Sequence, residues 1–164
     1  MMTAMKIRHE LTYDASPAEI YAMRADPAFR EKVCTALDTV SHTVSIDEAG
    51  SGLSVLVDMV RHTEGVPSFA KKVVGDRTRI VQTESWGSAE AADLVLEIPG
   101  KPGHIRGRLT STSNGSGTVY AFEGEAKVAI PLVGGKLEGL VAELFTDGMD
   151  TEHQVGTAWL AGER

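Results

Sequence analysis

The chain has 164 residues, 42% of them hydrophobic, and a formal charge of −7 from 23 acidic against 16 basic residues. That length suits one domain, residues 1–164, able to bury roughly two thirds of its unfolded surface. The acidic balance argues against nucleic acid and anionic membrane surfaces as partners, and no apolar run approaches the roughly 18 residues of a membrane span, so no stable membrane insertion is expected. One cysteine, Cys34, excludes an internal disulfide and fits a reducing cytoplasm; no leader pattern precedes the first strand-like stretch.

Residues 6–13 alternate, with Ile7, His9, Leu11 and Tyr13 opposite Lys6, Arg8, Glu10 and Thr12, which predicts a strand with one buried face. Ser16-Pro17-Ala18-Glu19 is a capping box with proline at the first helical position, and Asp26-Pro27 repeats the cap-then-proline signal. Two short helices are expected, from Pro17 to Ala25 and from Pro27 to about Leu37. From residue 39 to 130 the period is two. Strands are expected over 40–47, 53–62, 77–86, 91–98, 104–113 and 118–130, broken by turns at 48–52, 87–90, 99–103 and 114–117. Gly65-Val66-Pro67 precedes a stretch, Ser68 to Val74, that suits one helical turn.

The last third carries one apolar helical face: Val133, Leu137, Leu140, Val141, Leu144, Phe145, Met149, Val155, Trp159 and Leu160 recur at three and four residues. Lys136, Glu138, Glu143, Asp147, Glu152 and Gln154 fill positions that suit solvent. A helix from about 134 to 160 would run roughly 40 Å and needs a large partner surface. Short loops between consecutive strands imply antiparallel neighbours. The fold class is therefore α+β: a seven-stranded curved antiparallel sheet around a long C-terminal helix, with two short helices after the first strand. Where a twisted sheet and a helix part company, an apolar lining encloses space of the kind small-molecule sites occupy.

This order resembles the helix-grip fold of the START-like (SRPBCC) superfamily, which includes the birch-pollen allergen, lipid-transfer domains and polyketide cyclases. VPSFAKKVVGDRTRIVQTESW (66–86) and IPLVGGKLEGLVAE (130–143) resemble a bacterial family of domains of unknown function within it, DUF2505. The resemblance covers essentially the whole chain. It implies a hydrophobic cavity between sheet and helix and a lipid, steroid or polyketide-like ligand, and it carries over no catalytic residue.

The residues themselves offer several candidates. His9 and His42 fall on apolar strand faces, where they would polarise a ligand carbonyl or exchange protons near neutral pH; the plainer reading is core or rim histidines hydrogen-bonded to neighbours. Met59 and Arg61 share a parity, as do Ile80, Gln82, Glu84 and Trp86. Arg61, Glu84, Arg106 and Arg108 make a polar end to an apolar cavity, or, with the opposite parity, a solvated face. Tyr120, Phe122, Phe145, Met149 and Trp159 are large side chains that would line a cavity or simply pack. The candidate ligand-binding set is His9, His42, Met59, Arg61, Trp86, Tyr120, Phe122, Leu140, Leu144, Phe145 and Met149. His9, His42 and Glu84 would be the proton-moving groups if the chain were an enzyme.

Gly139, Gly148 and Gly156 punctuate the long helix at about 1 kcal/mol each relative to alanine, and Gly124 and Ala126 thin a strand, which either lets backbones approach or leaves room for a ligand. No metal-ligand spacing occurs and no cofactor is expected. Gly134-Gly135-Lys136 lacks the spacing of a phosphate loop, and Cys34 reads as a small buried hydrophobe. The expected partner is a hydrophobic or amphipathic small molecule, bound or transported. The alternatives are an enzyme of polyketide cyclase or aromatase type and a protein-interaction module with an acidic surface. No pattern sets an oligomeric state.

Overall fold

The computed structural model describes residues 4–50 and 52–164; Ser51, in the first expected hairpin turn, and the first three residues lie outside the described residues. The elements follow in the order β1 (Met5–Tyr13), α1 (Pro17–Arg24), α2 (Pro27–Ala36), β2 (Thr39–Ala49), β3 (Gly52–His62), α3 (Ser68–Val74), β4 (Arg77–Ser88), β5 (Ala91–Glu97), β6 (Gly103–Ser113), β7 (Thr118–Val128) and α4 (Gly134–Leu160).

Local chemistry sets the helix starts. The Ser16 hydroxyl accepts from the Glu19 amide at 3.2 Å while the Glu19 carboxylate accepts from the Ser16 amide at 3.1 Å, a complete capping box. Asp26 accepts from the Ala28 amide at 2.9 Å. The α4 helix has no such cap: Val133 stands at its N-cap without a side-chain bond, after Leu132 in a left-handed conformation at φ 73°.

All seven strands form one antiparallel sheet ordered β1-β7-β6-β5-β4-β3-β2. Strands β2 to β7 are the expected meander. Strand β1 joins the far side, pairing with β7 from Met5↔Ala126 to Tyr13↔Thr118, because α1 and α2 carry the chain away from it before β2 begins. The β3–β4 connection holds α3, a seven-residue helix. Its ends are tied by the Thr63 hydroxyl donating to the Gly75 carbonyl at 2.6 Å.

The α4 helix lies across the concave face, packed on β7, β1 and α2. Between sheet and helix is the main core, containing Phe29, Trp86, Leu94, Ile105, Leu109, Tyr120, Phe122 and Trp159. A smaller cluster of Ala70, Val128 and Leu137 gathers where α3 meets the first turns of α4.

Two expectations about α4 are overturned. Glu138 does not face solvent: it is buried, and its carboxylate accepts from the Val128 amide at 2.9 Å, satisfying a donor at the end of β7. Glu152 turns inward to Arg24. Periodicity marks both as polar positions but says nothing about a polar partner waiting on the apolar side.

The candidate site: a cavity closed at one end by a buried ion network

A cavity of about 290 Å³ lies between the concave face and α4, at the small end of the roughly 300–1,000 Å³ typical of small-molecule sites. Its wall is mostly apolar. The sheet contributes Met59, Ile80, Leu94, Leu96, Ile105, Leu109 and Val128; α4 contributes Leu137, Leu140, Val141, Leu144, Phe145 and Met149; α3 contributes Ala70 and Val73. Leu144 is 43% exposed, and with Glu64 and Lys101 also in the wall the cavity reaches the surface between α3, the β5–β6 loop and the first half of α4.

The glycines of α4 divide the two readings open from sequence. Gly148 is in the cavity wall, and a Cβ built there meets nothing within 4 Å. Gly156 serves close packing, since a Cβ would stand 3.1 Å from Met23 Cε and from the Tyr13 ring and hydroxyl. At Gly139 only the Met5 sulfur comes within reach, at 3.9 Å. In the sheet, Gly107 and Gly124 are paired across β6 and β7, and the Phe122 ring covers both. Its Cζ would be 2.6 and 2.7 Å from added Cβ atoms there.

At the inner end the wall becomes polar. Glu84, on the inward face of β4, is 2% exposed. Arg24 donates to both its oxygens at 3.1 and 2.9 Å, and Arg30 does the same at 2.8 and 2.9 Å. Trp86 Nε1 and Gln82 Nε2 each add a bond of 2.9 Å. Arg30 Nε also donates to the Arg24 carbonyl at 2.8 Å, bracing the C-terminus of α1, and Glu152 from α4 accepts from Arg24. Burial alone would raise the Glu84 carboxyl, but Arg24 and Arg30 outweigh it and hold the group well below the usual carboxylate range. Burial likewise opposes charge on Arg24, but Glu152 and Glu84 keep it protonated. Two guanidiniums and two carboxylates thus balance, joining α1, α2, β4 and α4.

Some sequence candidates meet in the cavity: Met59, Arg61, Tyr120, Leu140, Leu144, Phe145 and Met149 all line it. Arg61 is half-buried and donates to the Leu37 carbonyl at 3.2 Å; burial lowers its pKa, with Asp38 opposing. Four candidates stand elsewhere. Trp86 is buried beneath the network and packs edge-on against Tyr21 at 5.8 Å. Phe122 meets Phe145 edge to face from behind the wall, with ring centroids 4.8 Å apart. His9 faces α4 as its parity predicts, but bonds Asp150 at 2.7 Å. His42 bonds Glu31 and, at 2.8 Å, Thr39. Edge strands carry both histidines, so helix residues overhanging the sheet rim reach them first.

Parity is resolved strand by strand: Arg61 and Glu84 point inward, whereas Arg106 and Arg108 are exposed. Cys34 is buried, and burial pushes its thiol up to about 11, which suits an inert side chain. Among the described residues no group of three or more His, Cys, Asp or Glu side chains is arranged to hold a metal ion, and no helix is long and apolar enough to cross a membrane.

Arg24 and Arg30 were not singled out from sequence. In helices of eight and ten residues they read as ordinary polar positions. The available signal was Glu84: a carboxylate on an inward parity between Gln82 and Trp86 requires buried cations, and the two short helices are elements free to supply them.

The family model for a protein of unknown function, DUF2505, matches residues 8–160. Among solved structures, the chain is similar to TTHA0849 from Thermus thermophilus, with 20% identity over 96% of this chain and 99% of that one and a TM-score of 0.64. It is similar to the Zhui aromatase/cyclase from Streptomyces sp. R1128, at 14% identity over 99% and 100% of the two chains with a TM-score of 0.60. Norcoclaurine synthase from Thalictrum flavum gives 15% identity over 98% and 88%, with a TM-score of 0.62. No curated protein sequence matches the chain. At these identities the likeness is one of fold. The chain belongs to the DUF2505 family, and its architecture is the helix-grip fold that these solved structures share.

Proposed function

We propose that the chain binds, and carries, a compact hydrophobic or amphipathic small molecule of lipid, steroid or polyketide-like character in the cavity between the sheet and α4. The observation that carries this reading is the cavity itself. A side chain at Gly148 would narrow it, and a glycine inside a 27-residue helix costs about 1 kcal/mol relative to alanine. Met59, Tyr120, Leu140, Leu144, Phe145 and Met149 would contact the ligand, with Arg61 toward the open end. Native mass spectrometry of protein purified from its own cells tests it. Bound extra mass that organic solvent extracts is expected; no adduct, together with no response to lipid and steroid panels, overturns it.

A second reading, an enzyme of aromatase/cyclase type, needs a proton-moving group in the cavity, and His9 and His42 are instead engaged at the rim by Asp150 and Glu31. Glu84 supports it poorly, because its lone pairs are taken up by two arginines, Trp86 and Gln82. Turnover of a polyketone by the wild-type chain would favour the enzyme over the carrier.

A further inference from the structure

Among the described residues three buried side-chain polar atoms have no hydrogen-bond partner: Arg24 Nε, the Tyr120 hydroxyl and Ser111 Oγ. Such atoms are rare in folded proteins, and each needs an explanation. Two of the three belong to residues that line the cavity, and both residues are 1% exposed. They are also adjacent, since the Arg24 guanidinium carbon lies 5.1 Å from the Tyr120 ring centroid.

Neither can satisfy itself by turning. Arg24 is fixed through its two terminal nitrogens by Glu152 and by both oxygens of Glu84, and it is packed 5.8 Å from the Trp86 ring centroid. Tyr120 is held edge-on by Tyr13 at 5.9 Å. Burial, the largest influence, keeps its phenol well above the ordinary range, so it remains a neutral donor.

The charge of this end is already balanced. Arg24 and Arg30 face Glu84 and Glu152, so an anionic group arriving here would be a buried charge without a counter-ion, a costly arrangement. An uncharged oxygen meets no such penalty.

On the reading that the cavity binds a small molecule, we propose that its ligand carries a neutral oxygen acceptor, a ketone or hydroxyl, inserted inward to meet the Tyr120 hydroxyl and Arg24 Nε–H, with the apolar body behind it. The compact cavity suits a ring system better than an extended acyl chain. Specificity arises as it does wherever a site is built to hydrogen-bond one group of a ligand: a ligand lacking that group leaves the buried donors unpaired.

Titration calorimetry with three matched naphthalenes tests this, one carrying an acetyl group, one an ethyl group and one a carboxylate. Wild-type protein should bind the acetyl compound roughly tenfold more tightly than the ethyl compound, the worth of a good buried hydrogen bond, and the carboxylate more weakly than the acetyl compound. Tyr120→Phe should lose roughly tenfold for the acetyl compound and nothing for the ethyl compound, while unfolding at the same or higher denaturant because an unpartnered buried hydroxyl is gone. Equal binding of acetyl and ethyl compounds by the wild type, tightest binding of the carboxylate, or an equal loss for both neutral probes in Tyr120→Phe overturns the proposal while leaving the cavity reading intact. The wild-type ranking decides the matter even if the variant does not fold. Failure of all three probes to bind the wild type overturns the cavity reading and this proposal with it.

Discussion

The two halves of α4 are held to the sheet by different means. From Asp147 onward the helix is pinned by polar links on several sides: Asp150 to His9, Glu152 to Arg24, and His153 to the Thr12 carbonyl at 2.7 Å. Gly156 lets Tyr13 and Met23 press against its backbone, and Trp159 meets Phe29 edge-on at 5.8 Å. The first half has one buried polar link, Glu138 to the Val128 amide, and a cation–π contact from Lys136 to Phe69 at 5.6 Å. It has no N-cap bond, and its apolar face looks onto the cavity. One helix thus combines a clamped segment that fixes position with a lightly held segment that borders open space. A site that admits a ligand requires both.

The largest effect should come from breaking the network behind the clamped half. Glu84→Gln leaves Arg24 and Arg30 buried with only Glu152 opposite them, and should cost about 3–5 kcal/mol in chemical denaturation. The loss should depend on pH. The Glu84 carboxyl is depressed in the folded state, so the wild type binds fewer protons folded than unfolded below the ordinary glutamate value of about 4.3. The gap between wild type and variant should be full above about pH 5 and shrink as pH falls through and below that value. A gap unchanged at pH 3 would show that the Glu84 charge is not what the arginines require.

Gly156→Val should cost about 1–3 kcal/mol, because Tyr13 and Met23 leave no room beside the helix. Gly148→Ala should do the opposite, raising stability by about 0.5–1 kcal/mol through helix propensity while weakening binding of any probe that fills the cavity. Adding a side chain at two glycines of one helix would then have opposite signs. Smallest of all, Leu144→Ser at the exposed rim should change stability by no more than about 0.5 kcal/mol; its effect should appear in probe affinity. A stability loss well above that value would mean that the first half of α4 is clamped after all.

The same contrast explains what could be read in the sequence. Features encoded by near neighbours were legible: the capping box at Ser16, the alternation in β1 and β3, and the period of α4, whose bounds at 134 and 160 come directly from the apolar pattern. Features that depend on distant partners were not. Whether Arg106 points in or out follows from the register of its sheet, and the roles of Arg24 and Glu152 depend on a carboxylate 60 residues from one of them. His9 and His42 had the right parity but lie on the two edge strands. Chain order places β1 first and leaves open that it closes the sheet beside β7 rather than β2.

Phe122 does not line the cavity, yet it sets how wide the cavity is. The tip of its ring fills space beside Gly107 and Gly124, and the ring meets Phe145, which does line the wall, edge to face. The three residues behave as a single shim inserted behind the partition. A methyl group at either glycine would also strike backbone, standing 2.4 Å from the Glu123 carbonyl at Gly107 and 2.2 Å from the Arg106 carbonyl at Gly124, whereas trimming Phe122 would let Phe145 fall back. A substitution at Phe122 would therefore change the width of the cavity from a position outside its wall.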